Sequence, residues 1–297
     1  MAIFITGATG FIGGSLAVRL LRGGHVVRGL VRSEEKAPRL AALGIEPVLG
    51  SLADGAVLRA AARASDGVVN AADSDHRGAV EALLDGLAAS GKPFLHTSGS
   101  SVIADNARGE YASDRVFEDD TPFTPEPEKA ARAAIDGLVR ASASRGIRAA
   151  VLCNTMIYGT GLGLSRDSVQ VPPLVRQAQA SGVVRTVGPG LNIWSNVHLH
   201  DVLDLYEIAL RQAPAGAFYF VENGEASFKA IGEAIARRFG LRGPEPWSVE
   251  EAAEAWGGIH AAYSFGSNSR VRGRRARQEL GWAPTHSSVT GWIEREM

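Results

Sequence analysis

The sequence lacks most of the features that mark secreted, membrane-embedded or nucleic-acid-binding proteins. Its single cysteine, Cys153, excludes an internal disulfide bond and a cysteine-ligated structural zinc, and fits a reducing cytoplasm. The formal net charge is −1 and no basic stripe is present, which argues against a nucleic-acid partner. No apolar run approaches the roughly 20 residues of a membrane-spanning helix. These absences predict a soluble cytoplasmic protein without a membrane partner.

The composition is that of an ordinary globular protein, with 297 residues of which 45% are apolar and 21% charged. In the first half, short β-like runs alternate with helical patterns, which predicts an α/β fold with a doubly wound parallel sheet. The predicted strands are Ala2–Thr6, Val26–Val31, Pro47–Leu49, Gly67–Asn70, Pro93–Thr97 and Arg148–Leu152. The predicted helices between them are Phe11–Arg22, Glu34–Leu43 with Ser33 as N-cap, Asp54–Ala64, Arg77–Ser90 and Lys129–Ser144.

A glycine pattern, Gly7-x-x-Gly10-x-x-Gly13, directly follows the first predicted strand and opens the first predicted helix. The first glycine permits a tight turn, the second lets backbone N–H groups approach a pyrophosphate, and the third lets helix and strand pack closely. The helix N-terminus also offers free N–H donors and a positive dipole end. The pattern therefore predicts a dinucleotide site; a tight turn that binds nothing is the alternative.

Arg32 stands at the end of the second predicted strand, 19 residues after Gly13. An acidic residue about 20 residues past the glycines would hold a ribose 2′-hydroxyl. A guanidinium instead grips a 2′-phosphate through charge-assisted hydrogen bonds, and Ser33 and Arg28 lie close enough to contribute. This favours NADP(H) over NAD(H), unless Arg32 pairs with a neighbouring glutamate.

Seven segments resemble, in the expected order, motifs of the short-chain dehydrogenase/reductase superfamily in its extended or atypical branch. They are Thr6–Gly13 (TGATGFIG), Gly50–Leu52 (GSL), Val68–Ala72 (VVNAA), His96–Ser101 (HTSGSS), Ile157–Gly159 (IYG), Asn196–Val202 (NVHLHDV) and Leu280–Pro284 (LGWAP). The resemblance implies a Rossmann-type domain over 1–158, with contributions from about 184–221. A small C-terminal α/β substrate lobe then comprises 159–183 and 222–297.

The glycine pattern, the strand ends and the resemblance together predict one set of cofactor-binding residues. They are Gly7, Thr9, Gly10, Phe11, Ile12, Gly13, Arg32, Ser33, Ser51, Leu52, Ala71, Ala72, Thr97 and Thr155. By resemblance, Thr155 borders the nicotinamide and is expected to bond its carboxamide.

The pattern breaks at the catalytic centre, because the sequence contains no Tyr-x-x-x-Lys motif. In the family this tyrosine is the usual acid, and the lysine lowers the phenol pKa towards the operating pH. The best-fitting register places Arg132 in the lysine position, Glu128 in the tyrosine position and Asp136 four residues after Arg132. A second register keeps Lys129 as the lysine and puts Pro125 in the tyrosine position. Neither supplies a phenol.

Five residues are therefore candidates for the chemistry: Ser98, Ser100, Glu128, Arg132 and Tyr158. The family's serine position falls near Gly99, between the two candidate serines. Tyr158 belongs to the segment expected near the nicotinamide, and Tyr111 lies in the long polar stretch from Gly99 to Glu128. Each has a structural alternative: a turn hydroxyl, a solvated helix charge, or a tyrosine that packs locally.

The resulting prediction is an NADP(H)-dependent oxidoreductase that acts on a small carbonyl, carbinol or sugar-like substrate. A non-catalytic cofactor-binding sensor or scaffold and a sugar-nucleotide epimerase or dehydratase are the alternatives. The histidines 198 and 200 with Asp201 are interpreted as a helix start near His200 or Asp201, with no metal site. The arginine-rich tract 270–277 either binds an anion or is solvated, and the protein is expected to be a monomer or homodimer.

Overall fold

The computed structural model describes the whole chain from Met1 to Met297, and its first half alternates strand and helix as predicted. The strands are β1 (Ala2–Thr6), β2 (Val26–Val31), β3 (Glu46–Leu49), β4 (Gly67–Asn70), β5 (Pro93–Gly99), β6 (Phe117–Glu118), β7 (Arg148–Asn154), β8 (Met156–Tyr158), β9 (Val183–Val187), β10 (Ile193–His198), β11 (Ala217–Val221), β12 (Glu225–Ser227), β13 (Arg242–Trp247) and β14 (Val271–Arg272). The helices are α1 (Phe11–Arg22), α2 (Ala37–Ala41), α3 (Gly55–Arg63), α4 (Arg77–Leu87), α5 (Ala130–Ala141), α6 (Val171–Ser181), α7 (Leu199–Gln212), α8 (Phe228–Phe239), α9 (Val249–Trp256), α10 (Gly258–His260), α11 (Arg274–Leu280) and α12 (Val289–Glu296).

Seven parallel strands form the main sheet in the order β11-β7-β5-β4-β1-β2-β3. The chain starts at β1, runs outward to β3, and then returns to β4 on the other side. The carboxyl ends of β1 and β4 therefore bound the crevice at which such sheets bind ligands. The predicted Rossmann-type, doubly wound parallel fold is confirmed. None of the helices combines the length and the apolar composition that a membrane-spanning helix needs.

Apolar side chains cover both faces of this sheet, because successive strand residues point to opposite sides. Ile5, Val69 and Leu95 belong to the hydrophobic cluster under α1 and α7. Their neighbours Phe4 and Phe94 belong to the cluster under α3, α4 and α5. The continuous apolar runs of the central strands are thus explained by burial on two faces.

A third hydrophobic cluster lies outside the main sheet, around Tyr158, Trp194, Phe228 and Trp292. Short pairings surround it: β10 joins β8 and β12, and β9 joins β13. Strands β9 and β10 are therefore not part of the main sheet, although residues from about 184 to 221 are expected to contribute to the Rossmann-type domain. Only α7, β11 and α11 return to it from the second half. The division into cofactor and substrate units stays a prediction.

The second predicted helix is shorter than expected: Glu34–Leu43 shrinks to the five residues of α2. Lys36 precedes it as N-cap and Pro38 occupies its first turn, a position that suits proline because the ring lacks an N–H. The expectation that Ser33 caps this helix is wrong. The Ser33 side chain is consequently free for another role.

The long polar stretch after β5 is a loop, as expected, and joins the main sheet to the C-terminal lobe. It contains a 3₁₀ turn at Ser100–Ile103 and the short strand β6, which pairs with β14. The Gly109 N–H donates to the carbonyl of Gly266 at 2.7 Å, and the Gly109 carbonyl accepts from Leu191 at 2.8 Å. The loop is therefore held by backbone hydrogen bonds to the lobe.

Candidate functional site

Two cavities lie on either side of the glycine turn. The first, here called the basic cavity, is about 770 Å³. Its lining residues are Gly7, Thr9, Leu30, Val31, Arg32, Ser33, Lys36, Ser51, Leu52, Ala53, Ala72, Asp73 and His76. The second, here called the serine cavity, is about 390 Å³. Its lining residues are Phe11, Ile12, Ala71, Ser98, Gly99, Ser100, Ser101, Arg132, Asn154, Thr155, Ile157, Ser168, Val169, Gln170, Trp194, His260 and Ser264.

The glycine turn is built so that only backbone can occupy its centre. Gly7 has φ +74°, and a Cβ there would lie 2.4 Å from the Ala71 carbonyl oxygen. A Cβ on Gly13 would lie 2.5 Å from the Gly7 carbonyl oxygen. Gly10 is the N-cap of α1 and offers no capping side chain, so the first-turn N–H groups stay open to an anionic ligand. These residues fit a dinucleotide pyrophosphate.

The basic cavity carries the charge that a 2′-phosphate would need. Arg32 is exposed and forms no ion pair with either neighbouring glutamate, while Lys36 and Ser33 line the same wall. Lys36 is absent from the predicted cofactor residues because it falls inside the predicted helix Glu34–Leu43. Arg28, in contrast, donates to Glu46 at 3.1 Å and to the Ala64 carbonyl at 3.2 Å and does not line the cavity. Its expected contribution is wrong.

Ser51 and Leu52 lie at the opposite wall of the basic cavity. The Ser51 backbone N–H and hydroxyl both donate to Asp54 Oδ2, at 2.6 and 2.8 Å. These hydrogen bonds lower the pKa of the Asp54 carboxyl. Asp54 thereby fixes the turn that presents Ser51 and Leu52, in a segment where Ser51 replaces the family's aspartate.

Three serines at the end of β5 reach the serine cavity, each held by a different partner. Ser98 Oγ donates to Asp136 Oδ2 at 2.8 Å. Ser100 Oγ accepts from Ser269 Oγ at 2.8 Å, and Ser101 Oγ accepts from Arg132 at 3.1 Å. A hydroxyl cluster at a strand's carboxyl end is placed where this class of sheet binds ligands.

Arg132 lines the serine cavity and is gripped by Asp75. Its Nε and Nη2 donate to the two Asp75 oxygens at 2.8 and 2.6 Å. The hydrogen bond from Arg132 lowers the Asp75 pKa. Asp75 escaped sequence reasoning, although its position just after β4 places it at the ligand edge of the sheet.

Glu128, which takes the tyrosine position in the best-fitting register, lines neither cavity. It is exposed, and its carboxylate accepts from the Tyr263 hydroxyl at 2.8 Å. Its own backbone N–H and the Tyr263 hydroxyl hold its pKa below the usual range. A general acid needs the opposite shift, so this placement corrects the expectation for Glu128.

Tyr158 and Thr97 also point away from the serine cavity. The buried Tyr158 hydroxyl donates to the His286 carbonyl at 3.1 Å, and burial raises its pKa. The neighbouring Ile157 lines the cavity instead. The Thr97 hydroxyl is hydrogen-bonded to Tyr206 at 2.8 Å, on the α7 side of the sheet. Both expectations fail because strand residues alternate between faces. Tyr111 lies on the surface, bonded to Asp105.

The remaining predicted cofactor residues surround the two cavities. Thr9 and Ala72 line the basic cavity, and Phe11, Ile12 and Ala71 line the serine cavity. Thr155 also lines the serine cavity, although its hydroxyl donates to the Val221 carbonyl at 2.8 Å. The hydroxyl oxygen keeps its capacity to accept a hydrogen bond.

Several lining residues come from the second half and carried no usable sequence signal. His260 and Ser264 face the cavity from the C-terminal lobe, 3.3 Å apart between Nδ1 and Oγ. Ser168, Gln170 and Trp194 complete the wall. In contrast, Asp73 and His76 follow β4, and the strand-end rule would have identified them.

The arginine tract and the histidine segment have structural roles. Arginines 270 and 272 pair with Glu225, and Arg277 pairs with Glu222. His198 is the N-cap of α7, two or three residues before the expected His200 or Asp201, and accepts from the His200 N–H. No group of three or more metal-ligating side chains is present.

Comparison with known proteins identifies one family over most of the chain. The model of the NAD dependent epimerase/dehydratase family matches residues 3–221. The oxidase ucsJ of an Acremonium species is 32% identical over 98% of this chain and 95% of its own. A 4-hydroxy-2-methyl-3-oxo-4-farnesyl-3,4-dihydroquinoline-1-oxide ketoreductase of Stigmatella aurantiaca is 26% identical over 95% and 92%. A 2-alkyl-3-oxoalkanoate reductase of Stenotrophomonas maltophilia is 30% identical over 76% and 71%.

Solved structures agree in fold. A dTDP-glucose 4,6-dehydratase from Bacillus anthracis in complex with NAD superposes with a TM-score of 0.77, covering 99% of this chain and 94% of that chain at 18% identity.

Proposed function

Because the chain belongs to the NAD-dependent epimerase/dehydratase family, we propose that it is an NADP(H)-dependent reductase of a small, largely apolar carbonyl compound. Membership makes it an enzyme of the NAD-dependent oxidoreductase and epimerase type. The observation that carries the finer proposal is the pair of cavities. One carries two cations at the tip of β2, and the other is a hydroxyl-lined pocket with apolar walls.

The cofactor would be held by residues of both cavities. The N–H groups at the start of α1 would bind the pyrophosphate, and Arg32, Ser33 and Lys36 would bind the 2′-phosphate. Asp73 at the same cavity partly offsets this charge. Ala71 and Thr155 would border the nicotinamide. When bound, the nicotinamide supplies the hydride that reduces a carbonyl carbon.

The walls of the serine cavity favour a substrate with an apolar body. Phe11, Ile12, Ile157, Val169 and Trp194 form its apolar side. A nucleotide-sugar substrate would bring a second diphosphate. Arg132, the lining arginine, already spends two of its donors on Asp75. A reductase is therefore favoured over the sugar-nucleotide epimerase or dehydratase. The names of two relatives, a ketoreductase and an alkanoate reductase, agree with this choice.

The polar side of the cavity provides the groups that a carbonyl reduction needs. The Ser100 hydroxyl accepts from Ser269 and keeps its hydrogen for the substrate oxygen, on which negative charge develops. Ser98 can donate in the same way when its hydrogen turns away from Asp136. Arg132 stabilises that charge electrostatically, and its remaining hydrogen bond to Ser101 fixes its head group. An arginine does not release its proton near neutral pH, so the proton must come from elsewhere.

The cofactor test is a fluorescence titration of the protein with NADPH and NADH. NADPH should bind more tightly, and the double variant Arg32→Ala, Lys36→Ala should remove the preference. Arg28→Ala is the matched control, because this arginine pairs with Glu46 outside the cavity. Equal affinities of the unmodified protein for the two nucleotides would refute the NADP assignment.

The substrate test is a panel of apolar ketones and aldehydes and, separately, nucleotide sugars. NADPH oxidation with members of the first group supports the reductase. Turnover restricted to nucleotide sugars would instead make the epimerase or dehydratase alternative correct.

A further inference from the structure

A buried carboxyl lies directly behind the serine cavity. Asp136, on α5, is 5% exposed and does not line the cavity, but its Oδ2 accepts the Ser98 hydroxyl at 2.8 Å. Given the proposed reductase, we propose that Asp136 supplies, through Ser98, the proton that the substrate oxygen takes up. Asp136 thus positions and replenishes the Ser98 proton, the task that a phenol would otherwise perform.

The hydrogen bonds behind Asp136 fix their own directions. The Thr6 hydroxyl donates to Asn70 Oδ1, so Asn70 Nδ2 donates to His96 Nδ1 at 3.1 Å. A neutral His96 ring that accepts at Nδ1 carries its hydrogen on Nε2. That nitrogen lies 3.7 Å from Asp136 Oδ1, and neither atom has another hydrogen-bond partner. The buried chain therefore converges on one carboxyl group.

Burial shifts the pKa values of Asp136 and His96 in opposite directions. Burial raises the Asp136 pKa to about 7, against the hydrogen bond from Ser98. Burial lowers the His96 pKa to about 4, so the ring is neutral at neutral pH. A carboxyl that titrates near the working pH is suited to proton transfer, and such divergent pairs characterise acid–base sites.

The charged and titratable groups that face Asp136 lie on α5, β5 and β7 and in the segment after β4, and none is a cation paired with it. Arg132 and Arg140 share its helix, but Arg132 is committed to Asp75, the acidic group beyond it. Cys153, on β7, faces the carboxyl as a thiol whose pKa is raised by burial. A buried carboxyl without a close cation favours its protonated form.

The proton step balances with the hydride supplied by NADPH. When Asp136 is protonated, its Oδ2–H donates to Ser98 Oγ across the same 2.8 Å, and the Ser98 hydroxyl hydrogen turns towards the substrate oxygen. As the new C–H bond forms and the carbonyl π bond breaks, the substrate oxygen takes that Ser98 proton. The Asp136 carboxyl proton moves to Ser98 Oγ and leaves a carboxylate. One solvent proton, entering through Ser98 after the alcohol leaves, restores the carboxyl.

The test is the pH profile of NADPH-dependent reduction, with the best ketone of the panel, in the unmodified protein and in Asp136→Asn and Ser98→Ala. The unmodified kcat should fall as the pH rises through about 7. Asp136→Asn should lower kcat by about 10²-fold, within the usual range for acid–base groups, and abolish this limb. Its NADPH affinity should change less than about twofold, which also reports that the variant is folded. Asp119→Asn is the control, because this buried carboxyl accepts the Arg275 backbone N–H at the start of α11.

Other outcomes separate this inference from the proposed function. An Asp136→Asn variant that keeps the full pH limb and changes only KM would overturn the proton role. If the unmodified protein reduces nothing, the proposed function fails. The protonation state of Asp136 can then still be measured by infrared difference spectra between the unmodified protein and Asp136→Asn. A carboxyl band lost as the pH rises through about 7 would support the assignment of Asp136 as a neutral-range proton store. A band already lost below pH 5 would refute it.

Discussion

Arg132, a lining residue of the serine cavity, is joined to Asp75 by two parallel hydrogen bonds of 2.8 and 2.6 Å. The third contact of the guanidinium, to Ser101 at 3.1 Å, bridges the acid to the serine cluster. The geometry uses the flat, forked head group of arginine, which a lysine ammonium does not reproduce. In the best-fitting register, the position of the family's lysine is therefore taken by a guanidinium that is bound to Asp75 and Ser101.

Arg132→Lys should lower turnover at least tenfold and leave NADPH affinity nearly unchanged. The shorter, single-point cation cannot hold Asp75 and Ser101 together, so charge on the substrate oxygen is less well stabilised. Steady-state kinetics with an active ketone measure the effect. Arg140→Lys, two turns further along the same helix, is the control and should behave like the unmodified protein. Full activity of Arg132→Lys would contradict a specific role for the fork.

Glu128→Gln and Tyr158→Phe should each leave kcat within about twofold. Glu128 is exposed and bonded to Tyr263, and Tyr158 is bonded to a backbone carbonyl away from the cavity. The same kinetic assay applies to both, with Ser98→Ala as the variant expected to lose activity. A large loss of kcat in Tyr158→Phe, without a loss of melting temperature, would restore tyrosine as the proton donor.

Gly13→Ala should destabilise the fold and abolish nucleotide binding. The added Cβ would lie 2.5 Å from the Gly7 carbonyl oxygen, so the turn must open. Gly137→Ala is the matched control, because no atom lies within 4 Å of a Cβ on this exposed helical glycine. Alanine there should raise the free energy of unfolding by up to about 1 kcal/mol. Chemical denaturation and NADPH titration measure both variants, and unchanged NADPH binding by Gly13→Ala would contradict the tight turn.

Acidification should destabilise the protein partly through His198. Burial lowers the His198 pKa to about 4, with added repulsion from His286 and His200 and opposed by Asp201. The folded pKa lies below the unfolded value of 6.5, so this contribution is complete above about pH 6.5 and is lost as the pH falls towards 4. Asp136 has the opposite sign, because its pKa is raised from 3.8 to about 7 and stability is therefore lost as the pH rises between these two values.

His198→Asn keeps a capping side chain for α7 but removes the titration. Between pH 7 and 4 it should lose less stability than the unmodified protein, by on the order of 3 kcal/mol. The free energy of unfolding in urea at each pH measures this difference. His260→Asn, at an exposed histidine, serves as the comparison. Identical pH dependence in all three proteins would exclude His198 as a source of acid sensitivity.

The sequence was informative wherever structure depends on neighbours along the chain. The limits of α1, β1, β2 and β4 agree with the sequence prediction to the residue, because apolar periodicity and turn residues are local signals. The sequence did not determine which face of a strand a side chain occupies. Tyr158 and Thr97 were assigned to a segment correctly, but a shift of one strand position turns a side chain to the other face.

The parts of the site contributed by the second half could not be predicted. His260, Ser264 and Gln170 approach the serine cavity through packing between elements far apart in the chain. The pairing of β9 with β13, and of β10 with β8 and β12, is equally non-local. Asp136 was visible in sequence only by its spacing from Arg132, and its burial beside His96 depends on the packing of α5 against β5.

The backbone hydrogen bonds of Gly109 have a consequence for how substrate reaches the cavity. A Cβ on Gly109 would lie 1.8 Å from the Val187 carbonyl oxygen, so the backbone of the loop packs directly against the backbone of the C-terminal lobe. Ser269 extends this contact, because its hydroxyl donates to Ser100, a lining residue of the serine cavity. Two lining residues of the serine cavity, Val169 (69% exposed) and His260, are open to solvent, so we expect substrate to enter beside them. Val169 and His260, rather than the polar loop, should therefore select which substrates enter the serine cavity.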